Sequence, residues 1–231
     1  MNHAPQSSNM PGAYVFDAYG TLFDVHSAVA RFRQDIGPNA DRLSSIWRDK
    51  QLQYTWVRSL AGRHKPFHEV TAAALDFALE IVGDVYKDVR GDLLNAYMTL
   101  DTYPEVPEVL ATLKRGGAQL AILSNGSPEM LEAAVGSAEI GNLLDNVFSV
   151  EQIGIYKPDP RVYEIVTDTY QCAPRSVSFQ SSNRWDIAGA ASFGFRTTWI
   201  NRFSQPDEFM DMPADRTFAS LRPLLAPYRL E

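Results

Sequence analysis

Three short segments of the chain leave polar side chains directly after an apolar run. Asp17 follows "AYVF", Ser124 and Asn125 follow "LAIL", and Ser181, Ser182 and Asn183 follow "SVSFQ". A carboxylate is a poor nucleophile in water. Partly desolvated, and held by the backbone N–H groups of the turn at Gly20 and by the Thr21 hydroxyl, Asp17 gains the means to form an ester with an electrophilic carbon or phosphorus. Taken singly, a strand-end Asp or Ser is more commonly a turn or helix cap than a catalyst. Their joint occurrence points to one site.

The elements that must position these groups follow from the pattern of apolar residues. Short β-type runs at 13–16, 118–123, 176–179 and 196–200 alternate, in the later part of the chain, with helical patterns, which predicts βαβ units and a parallel sheet. Ligands bind such sheets beyond the carboxyl ends of the strands, where the polar residues above fall. The run "VPEVLATLKRGG" closes on Gly116 and Gly117, and Ser127 with Pro128 reads as an N-cap followed by a first-turn proline. Residues 25–101 break the alternation. Four helical patterns, 26–36, 40–60, 67–83 and 85–100, follow one another without a strand, so a second, smaller all-α domain is inserted after the first strand. Pro104 and Pro107 mark the return to the sheet. The larger domain takes 11–24 and 102–231, and 1–10 is expected to be a loose polar tail.

Composition narrows the function classes. The 231 residues are 45% apolar, enough for a substantial core, and 28 acidic against 21 basic residues give a net charge of -7. That balance opposes nucleic acid or an anionic membrane as the main partner. Cys172 is the single cysteine, so no internal disulfide or cysteine metal cage is expected. With no secretion signal and no run long enough to span a bilayer, the expected location is the cytoplasm. The histidines His3, His26, His64 and His68 show no metal-ligand spacing, and surface or packing roles are expected for them.

The blocks "DAYGTLFD" (17–24), "LSNGS" (123–127), "YKPDPRVYE" (156–164), "SSNRWD" (181–186) and, in the insertion, "WRDKQLQYTW" (47–56) resemble, in order and spacing, the haloacid dehalogenase superfamily and more narrowly its L-2-haloacid dehalogenases. The resemblance implies a Rossmann-like parallel sheet core with a helical cap, and a homodimer. Most of the superfamily are Mg²⁺-dependent phosphatases. Attack by a carboxylate on a phosphate dianion sets like charges together and demands a divalent cation. Here Tyr19 stands where the phosphatase pattern has its second Asp, and Ser181 and Ser182 stand at the acidic metal positions, leaving Asp186 as the second acid. Displacing halide from carbon needs only fixed donors, so no metal and no cofactor are expected.

Residue by residue, the resemblance implies that Asp17 attacks C2 of an L-2-haloalkanoate and forms an aspartyl ester. Arg48, Asn125 and Trp185 then receive the halide, and Ser124 with nearby amides holds the substrate carboxylate. Water opens the ester with Asp186 as base, positioned by Asn183 and Lys157, giving the D-2-hydroxyacid. Thr21 and Ser181 belong to the same catalytic set. Tyr163 orients Lys157 or the carboxylate, and Lys157 keeps Asp17 and Asp186 ionised together. Tyr19, Leu52 and Phe67 line an apolar pocket for the alkyl group; for the last two, core packing is an equal explanation. Without the match, Arg48 and Lys157 read as surface residues, and Trp47, Tyr54 and Trp56 read as helical core. The sequence departs from the family pattern at Gln180, usually apolar, and at Arg184, usually small. Arg184 is expected either to reshape the halide pocket or to point to solvent. Three alternatives stand beside this reading: a fluoroacetate-type dehalogenase, a Mg²⁺-dependent phosphatase, and a ligand-binding protein without turnover.

Overall fold

The structure, a computed structural model, describes residues 11–83 and 89–228. The expected tail, 1–10, and His3 within it lie outside the described residues. Six strands form one sheet: β1 (Ala13–Phe16), β2 (Gln119–Ser124), β3 (Asn146–Ser149), β4 (Val177–Ser181), β5 (Arg196–Ile200) and β6 (Arg216–Phe218). Their order is β3-β2-β1-β4-β5-β6, and every neighbouring pair is parallel. Strand β1 lies at the centre, with Val15 registered between Ala121 and Phe179. All four β1 residues are buried, as an apolar run covered on both faces should be. The chain winds outward in opposite directions from β1 and from β4, so a crevice opens beyond their carboxyl ends.

The sequence reading missed β3 and β6. Both are at sheet edges, with four and three residues, and Val147 of β3 is exposed. Short, half-solvated edge strands carry too few apolar residues to show a period.

The helices are α1 (Ser27–Arg31), α2 (Arg33–Ile36), α3 (Ala40–Leu60), α4 (Phe67–Val82), α5 (Val89–Met98), α6 (Val106–Arg115), α7 (Pro128–Ser137), α8 (Pro160–Tyr170) and α9 (Arg184–Phe193). The first five lie between β1 and β2, so the parallel sheet carries an all-α insertion. The single helix expected over 26–36 is two short ones, because Phe32 leaves helical geometry at φ -110°, ψ 20°. The pattern at 85–100 begins partly in residues outside the described ones, and its helix is seen from Val89 to Met98.

The longest helix, α3, buries Leu43, Trp47 and Gln51 at four-residue spacing and packs against α4, whose facing residues include the small Thr71, Ala74 and Ala78. The buried polar groups of Trp47 and Gln51 are satisfied. Trp47 Nε1 donates to the Thr71 carbonyl at 2.9 Å, and Gln51 donates to Thr71 Oγ1 at 3.0 Å while accepting from Tyr97 at 3.1 Å. Truncating Trp47 to alanine would remove packing worth about 3–5 kcal/mol and its indole bond to the Thr71 carbonyl.

Ser127 and Pro128 take the expected N-cap and first-turn positions of α7. Ser127 is in extended geometry, but its side chain makes no capping bond and its buried Oγ has no partner among the described residues. Asp159 does cap α8, accepting from Arg161 N at 3.0 Å.

The two passages between sheet and insertion are tied together. Asp24 N donates to the Asp101 carbonyl at 2.8 Å and Tyr103 N to the Leu22 carbonyl at 3.0 Å. Arg202, in the turn after β5, donates to the Thr21 carbonyl at 2.8 Å and to Glu105 at 2.7 Å, with its guanidinium 3.7 Å from the centre of the Tyr103 ring. Among the described residues no helix is long and apolar enough to cross a membrane.

Candidate active site

Asp17 directly follows β1, and its carboxylate is buried with donors on both oxygens. Oδ2 accepts from Thr21 Oγ1 at 3.0 Å, Asn183 Nδ2 at 2.8 Å and Ser181 Oγ at 3.3 Å. Oδ1 accepts from Lys157 Nζ at 3.1 Å. The backbone turn that brings Thr21 back onto Asp17 passes through Gly20 at φ 91°, where an added Cβ would also press on Ser182 Oγ at 3.1 Å. Only glycine adopts that conformation without strain. Thr21 is held in turn, since Ser182 N donates to its Oγ1 at 2.8 Å.

Lys157 reaches this point from the loop before α8 and is fully enclosed. Its ammonium also donates to Asp186 Oδ2 at 2.9 Å, and Tyr163 donates to Asp186 Oδ1 at 2.8 Å. Burial pushes the Lys157 ammonium down, but the charges of Asp17 and Asp186 outweigh burial, and its pKa ends above the ordinary lysine value. Burial raises the Asp186 carboxyl to about 6; Lys157 opposes that rise and the Asp17 charge adds to it. Burial is the main cause, and one ammonium serving two carboxylates does not cancel it. Burial and the neighbouring Asp186 charge hold the Tyr163 phenol well above its usual range, so it stays a donor.

From the insertion, Arg48 of α3 crosses to the sheet and donates to the Tyr19 carbonyl and to Asn183 Oδ1, both at 3.3 Å. Asn183 therefore links Arg48 to Asp17 through opposite ends of one amide. Asn125 accepts from Lys157 N at 3.0 Å through Oδ1, and Ser124 Oγ accepts from Gly126 N at 3.0 Å, leaving its own proton to donate. Tyr19 stacks against Tyr97 at 5.6 Å and lies 5.7 Å from Phe67 between ring centres. Its buried hydroxyl has no partner among the described residues. Gly126 permits that approach, because a Cβ there would meet the Tyr19 ring at 2.7 Å. Leu52 is half-buried and lines a groove between α3 and α4 with Ile46, Phe77 and Ile81. Trp185, at the start of α9, meets Trp56 of α3 edge to face at 5.5 Å.

The structure thus gathers Asp17, Thr21, Lys157, Tyr163, Ser181, Asn183 and Asp186 into one bonded network, with Arg48 joining from the helical insertion. Among the described residues no group of three or more His, Cys, Asp or Glu side chains is arranged to hold a metal ion. Trp56, read from sequence as core, instead faces Trp185 across the boundary. Tyr97 and Ser182 complete the surroundings of Tyr19 and Thr21. Ser182 is among the strand-end polar residues noted from sequence, whereas Tyr97 carries no sequence signal beyond ordinary packing.

Both expectations for Arg184 are corrected. Its side chain is 3% exposed and turns away from Asp17 to the loop after β5, bonding Asp207 at 2.6 Å and the carbonyls of Phe209 and Met212 at 2.5 and 2.9 Å. Gln180 is buried in β4, where its amide donates to Ser178 Oγ at 2.5 Å.

A family model of haloacid dehalogenase-like hydrolases matches residues 11–194. The chain is 47% identical to (S)-2-haloacid dehalogenase 1 of Pseudomonas sp. strain CBS-3, over 92% of this chain and 94% of that protein. It is 44% identical to (S)-2-haloacid dehalogenase 4A of Burkholderia cepacia, over 93% and 94%. Its fold superposes on the L-2-haloacid dehalogenase from Xanthobacter autotrophicus with chloropropionic acid covalently bound, at a TM-score of 0.86 and 32% identity, over 96% of this chain and 100% of that one. With the sheet, the insertion and these likenesses spanning nearly its whole length, the chain belongs to the haloacid dehalogenase-like hydrolases.

Proposed function

We propose that this chain hydrolyses short L-2-haloalkanoic acids to D-2-hydroxyalkanoic acids through an ester on Asp17. The observation that carries the reading is the Asp17 carboxylate itself, with three donors on Oδ2 and one on Oδ1. The less encumbered Oδ1 attacks C2 in line with the carbon–halogen bond, and the halide departs with the bonding pair. Arg48, Asn125 and Trp185 receive it. Arginine suits that role because it stays charged and presents several donors. Ser124 and the neighbouring amides hold the substrate carboxylate.

In the second half, water adds to Cγ of Asp17 and gives its proton to Asp186. A carboxyl at about 6 is ionised at neutral pH yet more basic than an ordinary one, which suits a general base. As the Cγ–O bond breaks, Asp186 returns that proton to the departing alkoxide, Asp17 is restored with an oxygen from water and loses the second water proton to solvent, and C2 keeps the configuration inverted in the first step. Lys157 and Asn183 hold Asp17 and the water, and Tyr163 holds Asp186. Tyr19, Phe67 and Leu52 surround the alkyl group. The haloacid dehalogenase names of the relatives and the covalent chloropropionic acid of the Xanthobacter structure support this reading.

In this reading a core of 11–24 and 102–231 carries the nucleophile, and a cap of 25–101 delivers Arg48. A homodimer in the cytoplasm completes the reading; family likeness supports the first and the single Cys172 the second. The test is to incubate the metal-free protein with each enantiomer of 2-chloropropionate and titrate chloride. Release from the L form, abolished in Asp17→Asn, is expected. Release from the D form alone, or undiminished release by Asp17→Asn, overturns the assignment.

A further inference from the structure

Arg184 and Trp185 are adjacent at the start of α9, yet they serve opposite surfaces. Trp185 faces Trp56, whereas the Arg184 guanidinium is enclosed by the loop after β5. Besides its bonds to Asp207 and to the Phe209 and Met212 carbonyls, it lies 5.6 Å from the Phe209 ring centre and 5.8 Å from that of Trp199. The loop, "NRFSQPDEFMDM" from 201 to 212, is polar and mostly exposed, with no helix or strand of its own. Phe209 is half-buried within it. The Asp207 carboxylate, bound by Arg184, also accepts from Phe209 N at 3.2 Å. A buried cation thus fixes the backbone on both sides of one aromatic ring.

That ring is a wall of a cleft of about 650 Å³ that also includes Trp56 and Leu60 of α3, Tyr156, Pro158 and Trp185. The cleft shares Lys157 and Trp185 with the site described above. Its size lies within the range of small-ligand sites and far exceeds what a methyl substituent needs. Its charged rim residues, Asp159 and Arg161, are bonded to each other at 2.8 Å, so the cleft offers a substituent mostly apolar surface. Phe209, Trp185 and Pro158 also line a second cleft on the other side, toward Phe193.

Resting on the reading under Proposed function, we infer that the Arg184-anchored Phe209 forms one wall of a substrate subsite between Trp56, Leu60 and Trp185. The substrates it selects are 2-haloacids carrying a longer apolar chain at C2. The carboxylate and halide are held at the site, and the part of the substituent beyond the carbons that Tyr19, Phe67 and Leu52 surround is the group left to enter the cleft. Each methylene buried there raises kcat/KM by about fourfold.

The experiment compares kcat/KM for L-2-bromohexanoate and L-2-bromopropionate in the full-length protein, in Phe209→Ser and in Arg184→Ala. The hexanoate is expected to be favoured tenfold or more by the parent, and the ratio to fall at least fivefold in both variants. Phe209→Ser, on an exposed loop, keeps the test decisive if Arg184→Ala does not fold. Bromide released from bromopropionate with no preference for the longer acid overturns the subsite alone, as does an intact preference in Phe209→Ser. An intact preference in a folded Arg184→Ala overturns the anchoring role. No bromide from either acid in the parent overturns the dehalogenase reading, and the subsite falls with it.

Discussion

Asp17 and Asp186 share a single ammonium: Lys157 Nζ lies 3.1 Å from one carboxylate and 2.9 Å from the other, in a region closed to water. One positive charge cannot neutralise both. The surplus falls on Asp186, which has no exposed surface and is raised to about 6. A carboxyl whose pKa is higher folded than unfolded, where it is about 3.9, adds stability below pH 4 and loses it as pH rises through about 6. Asp186→Asn removes the ionised form and keeps an oxygen for Lys157. The variant should gain on the order of 1–3 kcal/mol over the parent at pH 7.5, shrinking toward zero at pH 4.5. Urea midpoints at the two pH values check this; an equal gap at both would contradict the charge assignment.

The same pair sets the pH dependence of turnover. In the proposed ester, Asp17 no longer carries the charge that helps raise Asp186, so Asp186 should become more acidic as the intermediate forms. Ester breakdown, followed by quenched single turnovers, should therefore slow about tenfold per pH unit only below a midpoint lying under 6. The free protein, followed by carboxyl titration, should show its midpoint near 6. A breakdown midpoint above that of the free protein would remove Asp186 as the base.

The two helix starts near the site separate a residue type from its function. Ser127 and Asp159 each stand at an N-cap followed by proline, yet only Asp159 accepts a backbone hydrogen bond. Ser127→Ala should change stability by less than about 0.5 kcal/mol, and Asp159→Ala should cost about 1 kcal/mol. Thermal or urea unfolding of the two variants makes the comparison, and a cost for Ser127→Ala matching that of Asp159→Ala would show that the serine hydroxyl caps after all.

What sequence reveals and what it hides divide along the same physical line. The buried strands β1, β2, β4 and β5 are legible because a run covered on both faces must be apolar, and Asp17, Ser124 and Ser181 are legible because they interrupt or end such runs. The edge strands β3 and β6 are not, since solvent on one side erases the pattern. Arg184 could not be placed from its neighbours: its partners are 23 to 28 residues away, in a loop whose composition says only that it is polar. Trp56 spaces like core residues because helical period reports a buried face, not which domain buries it. Arg202 gave no signal at all, because its partners Thr21 and Glu105 are 181 and 97 residues distant.

That distant arginine is also where the two passages joining sheet and insertion are most exposed to disruption. Arg202 and Glu105 form a largely buried pair at 2.7 Å, and Arg202 also donates to the Thr21 carbonyl, four residues from Asp17. Removing one member of a buried pair leaves an uncompensated charge and costs roughly 3–5 kcal/mol, whereas replacing both by apolar residues is often close to neutral. Arg202→Met should therefore lower the unfolding midpoint far more than the double variant Arg202→Met with Glu105→Leu. Both should lose turnover to a similar extent, because each leaves the Thr21 carbonyl without its donor and frees the turn that holds Thr21 against Asp17. If the double variant restored stability and turnover together, the arginine would be acting through the ion pair alone, and its bond to Thr21 would have no part in aligning the carboxylate.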